Sequence, residues 1–178
     1  MKSDPMKQKF EQVYQAESDA VFRYCFFRIS NRETALDLTQ DTFMRFWDAL
    51  IKQKDIQNTK AFIFMIARNL VIDFYRKKKS ISLDVILDEG GEGMFMAEEK
   101  SRIEYIEMSS EARFALDKIA LLEPLYQQII YMRFVEDLKP KEIAEVLGVS
   151  SNVISVRIVR GLQKLRELVG LGDKVEDK

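Results

Sequence analysis

The sequence predicts an all-α protein with two small helical domains joined by a flexible linker. Most of the chain repeats apolar residues with the period of an α-helix. One segment, DEGGEG at 88–93, breaks that pattern with glycines and acids, which is typical of a linker. A helix-turn-helix spacing appears near the C-terminus. We therefore predict domains at 6–79 and 106–170, with the linker over 80–105.

The bulk composition narrows the functional class. The chain has 178 residues, with 47% hydrophobic and 32% charged residues, as expected of a globular protein. The longest apolar run is too short to cross a bilayer and the N-terminus has no apolar signal region, so we expect a cytoplasmic protein without membrane insertion. One Cys excludes an internal disulfide, and the absence of His excludes imidazole-based metal sites and catalysis. We predict no enzyme, metal or cofactor, although carboxylate-only or Lys-based catalysis stays open.

Two amphipathic helices are predicted at the start of the chain. The first covers residues 6–29, and Ser30-Asn31-Arg32-Glu33 resembles a capping box that starts the second. The residues expected to point inward from the first helix are Phe10, Val13, Tyr14, Val21, Phe22 and Cys25. Those expected inward from the second are Leu36, Phe43, Phe46, Trp47 and Leu50.

The second helix also carries an acidic stripe, which we define as Asp37, Asp41 and Asp48. Gln40 and Met44 lie beside it. Such a stripe is usually a solvated helix face. The functional alternative is a docking surface for a basic partner.

The third predicted helix, from Ala61 to Lys79, contains no Gly or Pro and is capped by Asn58 or Thr59. Its polar stripe consists of Arg68, Asn69, Asp73 and Arg76. Three apolar residues, Phe62, Met65 and Ile72, lie at the edge of this stripe, where they cannot all be fully buried. Four cations, Arg76 to Lys79, close the helix. They suit the helix macrodipole, or they form a nucleic-acid surface in which cations meet phosphates and apolar groups meet unstacked bases.

The distribution of charge favours nucleic acid more than the net charge of −1 does. Residues 66–79 carry five Lys or Arg and one acid. Residues 80–112 carry nine acids and two bases. The average therefore hides a basic patch followed by an acidic segment.

Helical periodicity returns at Ile106. One helix is predicted to reach Leu122, and the next begins at Pro124 and ends near Glu136. Residues 140–168 then show the spacing of a helix-turn-helix: a small residue allows close helix packing, a glycine makes the turn, and a serine caps the second helix. These residues are Ala144, Gly148 and Ser150. The alternative is an ordinary helical hairpin.

In a helix-turn-helix the second helix enters the major groove N-terminus first. The residues nearest the bases are then Ser151, Asn152, Ser155 and Val156. Asn can pair with adenine, and Ser can pair with any base. Arg157, Arg160 and Lys164 are expected to hold phosphates, unless they form only a solvated face.

With these motifs in order, the chain resembles the sigma-70 family, most closely its small extracytoplasmic-function branch. The resemblance covers nearly the whole chain and implies three sets of contacts. Contacts to the β′ clamp helices of RNA polymerase are implied for Asp37, Gln40, Asp41, Phe43, Met44 and Trp47. Contacts to the minus-10 element are implied for Arg68, Asn69, Asp73, Tyr75, Arg76, Lys77, Lys78 and Lys79. Contacts to the minus-35 element are implied for Ser150, Ser151, Asn152, Ser155, Val156, Arg157, Arg160 and Lys164.

The resemblance implies a transcription initiation factor. Its partners would be core RNA polymerase, through the β′ clamp helices and the β flap, and promoter DNA, which it helps to melt. Such proteins often have an anti-sigma factor, so that partner is an open alternative. Two other hypotheses remain at this point: a stand-alone helix-turn-helix regulator, and a regulatory protein whose N-terminal domain mainly binds another protein. Asn152 and Ser155 depart from the family, where Gly and Lys are common.

Overall fold

A computed structural model describes residues 5–81 and 109–170, without the side chains of 79–81. The described residues form seven α-helices and no strand. The chain divides into two compact units, Met1–Arg102 and Ile103–Lys178, which are described separately below. The predicted all-α class is confirmed. The predicted linker over 80–105 lies outside the described residues, apart from the two positions that end the third helix.

The N-terminal unit packs three helices, α1 (Pro5–Ile29), α2 (Arg32–Ile51) and α3 (Thr59–Ile81). The helices form where the apolar period predicts them. The turn between α1 and α2 is capped by Asn31, whose side chain accepts a hydrogen bond from the Thr34 amide at 2.9 Å. The cap is therefore one residue later than the predicted box starting at Ser30. Asn58 caps α3, accepting from the Ala61 amide at 3.0 Å, as one of the two predicted alternatives.

The core of this unit is rich in aromatic residues. Its fully buried members include Tyr24, Phe26, Phe46, Ile63 and Phe64. Two inward predictions are wrong: Tyr14 is 46% exposed and Leu36 is 39% exposed. Two small residues of α2 for which no prediction was made, Ala35 and Ala49, are buried in the core. The three residues at the edge of the α3 polar stripe are all half-buried, which confirms that they are not all fully buried.

Cys25 is fully buried between α1 and α2, as predicted for a core thiol. Burial raises its pKa to about 12, and a hydrogen bond with Thr39 lowers it by less. The unfolded chain loses the thiol proton near pH 9.0, whereas the folded chain keeps it to about pH 12. The stabilisation is therefore complete below pH 9 and is lost as the pH rises towards 12.

We expect urea unfolding of the N-terminal unit, followed by Trp47 fluorescence, to lose more stability between pH 8 and pH 10.5 in the native sequence than in Cys25→Ala. The variant lacks the thiol, which at these pH values ionises only in the unfolded chain. It should therefore lose only the stability that the titration of other groups removes from both proteins. Equal losses in the two proteins would contradict this account of the buried thiol.

The C-terminal unit contains four helices, α4 (Ser110–Ala120), α5 (Pro124–Phe134), α6 (Pro140–Leu147) and α7 (Ser151–Val169). The helix predicted from Ile106 to Leu122 is described only from Ser110 and ends two residues early. Its core residues come from all four helices and include Leu116, Ile119, Ile129, Ile130, Met132, Ile143 and Ile154. Phe134, the last residue of α5, is 53% exposed.

Two glycines fix the geometry of this unit. Gly148 ends α6 with φ +67°, a left-handed conformation that costs most other residues free energy. Gly161 lies where α7 crosses α5. A Cβ atom there would meet Cγ1 of buried Ile130 at 2.9 Å, so only glycine allows this separation without a shift of the neighbour. The role of Gly161 was not predicted.

No helix within residues 5–81 and 109–170 is long and apolar enough to span a membrane. The same residues contain no cluster of three or more Cys, Asp or Glu side chains suited to a metal ion.

Candidate protein and nucleic-acid interfaces

The exposed face of α2 carries four of the six residues predicted to bind a protein. Asp37, Gln40, Asp41 and Met44 follow the spacing i, i+3, i+4, i+7, so they share one face of the helix. All four are exposed, and Met44 is 66% exposed. An apolar side chain this open, flanked by acids, is typical of a binding surface.

The remaining two, Phe43 and Trp47, line a groove between α1 and α2. Its volume is about 610 Å³, and its lining residues are Lys7, Phe10, Glu11, Tyr14, Gln40, Phe43, Met44 and Trp47. We call it the α1–α2 groove. Phe43 is 2% exposed and forms part of the floor. Its ring meets Tyr14 edge-on at 4.8 Å, and Trp47 meets Phe10 at 5.2 Å. Tyr14, which was predicted as a core residue, therefore packs against Phe43 and borders the open groove.

The basic end of α3 is exposed from Arg76 to Lys78. Arg76 forms an ion pair with Asp73 at 3.0 Å, which neutralises part of its charge. Asn69 is exposed, and Arg68 is half-buried. The side chain of Lys79 lies outside the described residues. The predicted nucleic-acid residues thus lie along one helix, with Lys77 and Lys78 at its most open end.

Tyr75 has a structural role in addition to its predicted one. Its hydroxyl donates a hydrogen bond of 2.5 Å to the backbone carbonyl of Arg28, which joins α3 to the end of α1. The ring stays half-buried and meets Phe74 edge-on at 5.5 Å. Part of this aromatic surface therefore remains near the basic helix end.

A second cavity, missed by the sequence analysis, lies between α2 and α3. Its volume is about 380 Å³, and its lining residues are Arg45, Asp48, Ala49, Lys52, Lys54, Phe62, Met65 and Ile66. We call it the α2–α3 pocket. Met65 lies one helical turn before Arg68 and Asn69, so the pocket continues the predicted polar stripe. The sequence signal for this pocket was the pair Lys52 and Lys54, which lines it together with Phe62 and Met65 from the edge of the polar stripe.

The helix-turn-helix begins with α6. The Glu142 carboxylate accepts from the Lys139 amide at 2.6 Å, which caps this helix. Val149 is half-buried after the turn, and Ser150 caps α7 by accepting from the Val153 amide at 3.4 Å, as predicted. Ile154 is fully buried and holds α7 against the unit. Because these contacts fix the first turn of α7, its outer side chains have a defined orientation.

That outer surface includes Asn152, Ser155, Val156 and Arg160, all exposed. Ser151 and Arg157 are half-buried. The Ser155 hydroxyl donates to the Ser151 carbonyl at 3.0 Å, so its lone pairs remain for a donor on a base. In this arrangement Ser155 fits the amino group of adenine or cytosine better than guanine, which presents only acceptors in the major groove.

Lys164 is already engaged within the unit. Its ammonium group lies 2.7 Å from the Glu123 carboxylate and 5.4 Å from the centre of the Tyr126 ring. The hydrogen bond and the charge of Glu123 raise the pKa of Lys164. This pairing reduces the charge that the residue can offer to a phosphate, a feature that spacing in α7 alone could not reveal.

Comparison with known proteins identifies a family for each of the two units. The model of sigma-70 region 2 matches residues 13–81, and the model of sigma-70 region 4 matches residues 115–165. RNA polymerase sigma factor SigV of Bacillus subtilis (strain 168) is 31% identical over 152 residues, which are 82% of this chain and 81% of the relative. The ECF sigma factor SigW of the same organism is 26% identical over 169 residues, covering 89% of this chain and 87% of SigW.

Among solved structures, the fold is similar to the sigma factor RpoE from Bartonella quintana, crystallised with the anti-sigma factor NepR. The TM-score is 0.68 at 21% identity, and the alignment covers 96% of this chain and 99% of that one. At this identity the likeness concerns the fold alone.

The chain is a transcription initiation factor of the sigma-70 family. Within that family it belongs to the extracytoplasmic-function branch. Its function is therefore to direct RNA polymerase to promoters. The alternative of a stand-alone helix-turn-helix regulator is wrong. Sigma factors are non-catalytic initiation factors, which agrees with the expectation that the chain is no enzyme.

Proposed function

We propose that α2 docks on core RNA polymerase through the face formed by Asp37, Gln40, Asp41 and Met44. The observation that carries the proposal is their common exposure at helical spacing. Acids on this face suit a basic surface such as the β′ clamp helices, and Met44 can adapt to an apolar contact at its centre. The chain itself supplies no catalytic group in this assignment and acts in the cytoplasm with the polymerase. The domain limits we propose are 6–79 and 106–170.

The minus-10 element is assigned to α3. Lys77 and Lys78 would hold the backbone of the displaced strand, with Arg76, Arg68, Asn69, Asp73, Tyr75 and Lys79 completing the predicted set. The α2–α3 pocket supports this assignment because its apolar residues fit an unstacked base, and its three cations outnumber its one acid, Asp48, and suit the phosphate. Removing a base from the stack costs a few kcal/mol, which such a pocket can offset.

The minus-35 element is assigned to the exposed face of α7. Asn152 and Ser155 would contact base edges, with Ser150 and Ser151 near the backbone at the helix N-terminus. Arg157 and Arg160 would bind phosphates. Lys164 would contribute less, because Glu123 already neutralises it. The β flap is proposed as the second polymerase contact, made by the C-terminal unit.

Run-off transcription on a pool of genomic promoters tests the assignment as a whole. Purified core polymerase is compared with and without this chain. We expect new transcripts that share two spaced upstream elements. If polymerase binds the chain but no such transcripts appear, the assignments of α3 and α7 to promoter DNA fail.

Asp41→Arg should weaken binding of core polymerase by at least tenfold. It places a cation at the centre of an acidic face that we match with a basic partner, and like charges across an interface cost several kcal/mol. The measurement is a titration of core polymerase with the labelled full-length chain. Asp19→Arg is the matched control, since Asp19 is an exposed acid on α1 of the same unit. Equal weakening by both variants would exclude α2 as the docking face.

Arg160→Ala should weaken promoter binding by the holoenzyme on every sequence tested, and it should reduce the salt slope by about one. Lys164→Ala should have a smaller effect, because its charge is paired with Glu123 in the free protein. Competition binding with variant minus-35 sequences at two salt concentrations measures both. A changed sequence preference in Arg160→Ala would show that this side chain reads bases.

An anti-sigma protein is a further partner that we propose. RpoE of Bartonella quintana has one, NepR, and in this chain the α1–α2 groove offers the apolar volume that an amphipathic helix requires. Because the groove shares Gln40 and Met44 with the proposed docking face, such a partner would compete with core polymerase. A complex that contains the chain, polymerase and the inhibitor at once would contradict this arrangement.

A further inference from the structure

An exposed line of side chains runs along α7, opposite its buried face. At 100° per residue, Asn152, Val156, Val159 and Gln163 lie within about 60° of one another. Ile154 and Gly161 are buried on the other side. Val156 is 50% exposed and Val159 is 67% exposed. We call this line the valine stripe.

The valine stripe differs from an ordinary solvated helix face in two ways. Single exposed apolar residues are common, but β-branched residues lower the helix propensity of surface positions. Here two of them occupy successive turns of one face. In addition, α7 contains no Asp or Glu from Ser151 to Arg166, and the exposed cations Arg160 and Arg166 lie within about 40° of the two edges of the stripe. An acid-free face with cations beside it complements DNA.

We infer that Val156 and Val159 read the C5 methyl groups of thymine in two neighbouring A·T base pairs of the minus-35 element. The inference rests on the proposed function, in which α7 lies in the major groove. Thymine is the base that presents a methyl group there. Guanine or cytosine opposite a valine would lose water from its polar edge without gaining a hydrogen bond.

The spacing of the two valines fits two adjacent base pairs. Three residues of α-helix rise by about 4.5 Å, and successive base pairs along one strand are separated by about 3.4 Å. Asn152 precedes Val156 by one turn on the same stripe, and its amide can pair with adenine. The stripe as a whole therefore favours a run of A·T pairs, in which the methyl groups supply part of the discrimination.

The test uses the holoenzyme formed from core polymerase and the full-length chain, on the promoter found by run-off transcription. Each thymine of the minus-35 element, on either strand, is replaced in turn by deoxyuridine. This change removes the methyl group and keeps the base pair. We expect about three- to fivefold weaker binding at two neighbouring positions, the scale of one buried methyl group.

Variants of the chain assign the two effects to side chains. Val156→Ala should abolish the deoxyuridine effect at one position, and Val159→Ala should abolish it at the other. Val153→Ala is the matched control, because Val153 is also an exposed valine of α7 but lies off the stripe. Both effects should persist in the control. Alanine favours helix, so the three variants should retain the fold, which circular dichroism checks.

The outcomes separate the inference from the function beneath it. If binding depends on the minus-35 sequence but deoxyuridine has no effect anywhere, thymine reading by the valines is wrong and the role of α7 stands. Effects that persist in both stripe variants would assign methyl reading to other residues and overturn the inference. If binding is indifferent to the minus-35 sequence itself, the placement of α7 in the groove fails.

Discussion

Replacing Lys77 and Lys78 together by Gln is expected to lower formation of the open promoter complex by about 20-fold at 0.1 M salt. Each phosphate contact to single-stranded DNA contributes roughly 0.7 to the logarithmic salt slope, so two contacts are worth about 1.4 decades at this concentration. Both side chains are exposed at the end of α3. Permanganate reactivity of unpaired thymines in the holoenzyme complex measures the melted DNA directly.

Lys7→Gln combined with Lys9→Gln is the matched control. It removes two exposed cations near the start of α1, whereas α3 is joined through Tyr75 to the other end of α1 at Arg28. If local contacts to the strand matter, only the first pair of substitutions reduces melting, and the loss shrinks at higher salt. Equal losses in both double variants would mean that the overall charge of the unit, and not α3, sets the effect.

A sigma factor with a net charge of −1 illustrates why the distribution of charge matters more than its sum. The acidic stripe and the basic end of α3 belong to one small unit and serve opposite partners in the proposed function. At the basic end of α3, Arg76 forms an ion pair with Asp73. Residues 5–81 carry 14 Lys or Arg and nine Asp or Glu, so the three helices are basic overall and still include an acidic docking face. The near-neutral total comes largely from the nine acids of residues 80–112.

The helices and their caps could be predicted because they depend on local sequence. Apolar residues at helical spacing gave α1, α2, α3, α5 and the pair α6 and α7. Gly148 and Ser150 have unambiguous local roles, a left-handed turn and an N-cap, and both are confirmed. The exposed face of α2 was equally accessible, because a stripe of acids on an amphipathic helix cannot face the core.

Features that depend on packing between helices could not be read from one helix at a time. Tyr14 fits the apolar period but is exposed, because it borders a groove between α1 and α2 that a single period does not reveal. Leu36 also fits the period and is exposed. The pairing of Lys164 with Glu123 joins residues 41 positions apart. The α2–α3 pocket combines residues from two helices and their connection. In each case the missing information is the relative position of two elements.

Gly161 is the clearest residue of this kind. In sequence it is a glycine inside an otherwise regular helix, which suggests a weak point in α7, since glycine costs a helix about 1 kcal/mol relative to alanine. In the structure it is buried against Ile130 and permits the crossing of α5 and α7. Its unfavourable helix propensity is offset by the packing that it allows.

Gly161→Val is therefore expected to lower the free energy of unfolding of the C-terminal unit by about 2 to 3 kcal/mol, in the range of overpacked cores. The added Cβ would lie 2.9 Å from Ile130 Cγ1 and 3.0 Å from its Cδ1, and the two methyl groups add further volume. Because Trp47, the one Trp of the chain, belongs to the other unit, hydrogen exchange of the α5 and α7 amides is the suitable measurement.

A second substitution identifies the cause. Ile130→Ala removes the atoms that the new side chain would meet, so Gly161→Val should cost much less in that background than in the native sequence, with a coupling of about 1 to 3 kcal/mol. Gly161→Val should also weaken holoenzyme binding to the minus-35 element, because the contact between Gly161 and Ile130 orients α7. The Ile130→Ala background should restore part of this binding. Additive losses in the double variant would instead assign the role of Gly161 to its backbone and not to the close approach of two helices.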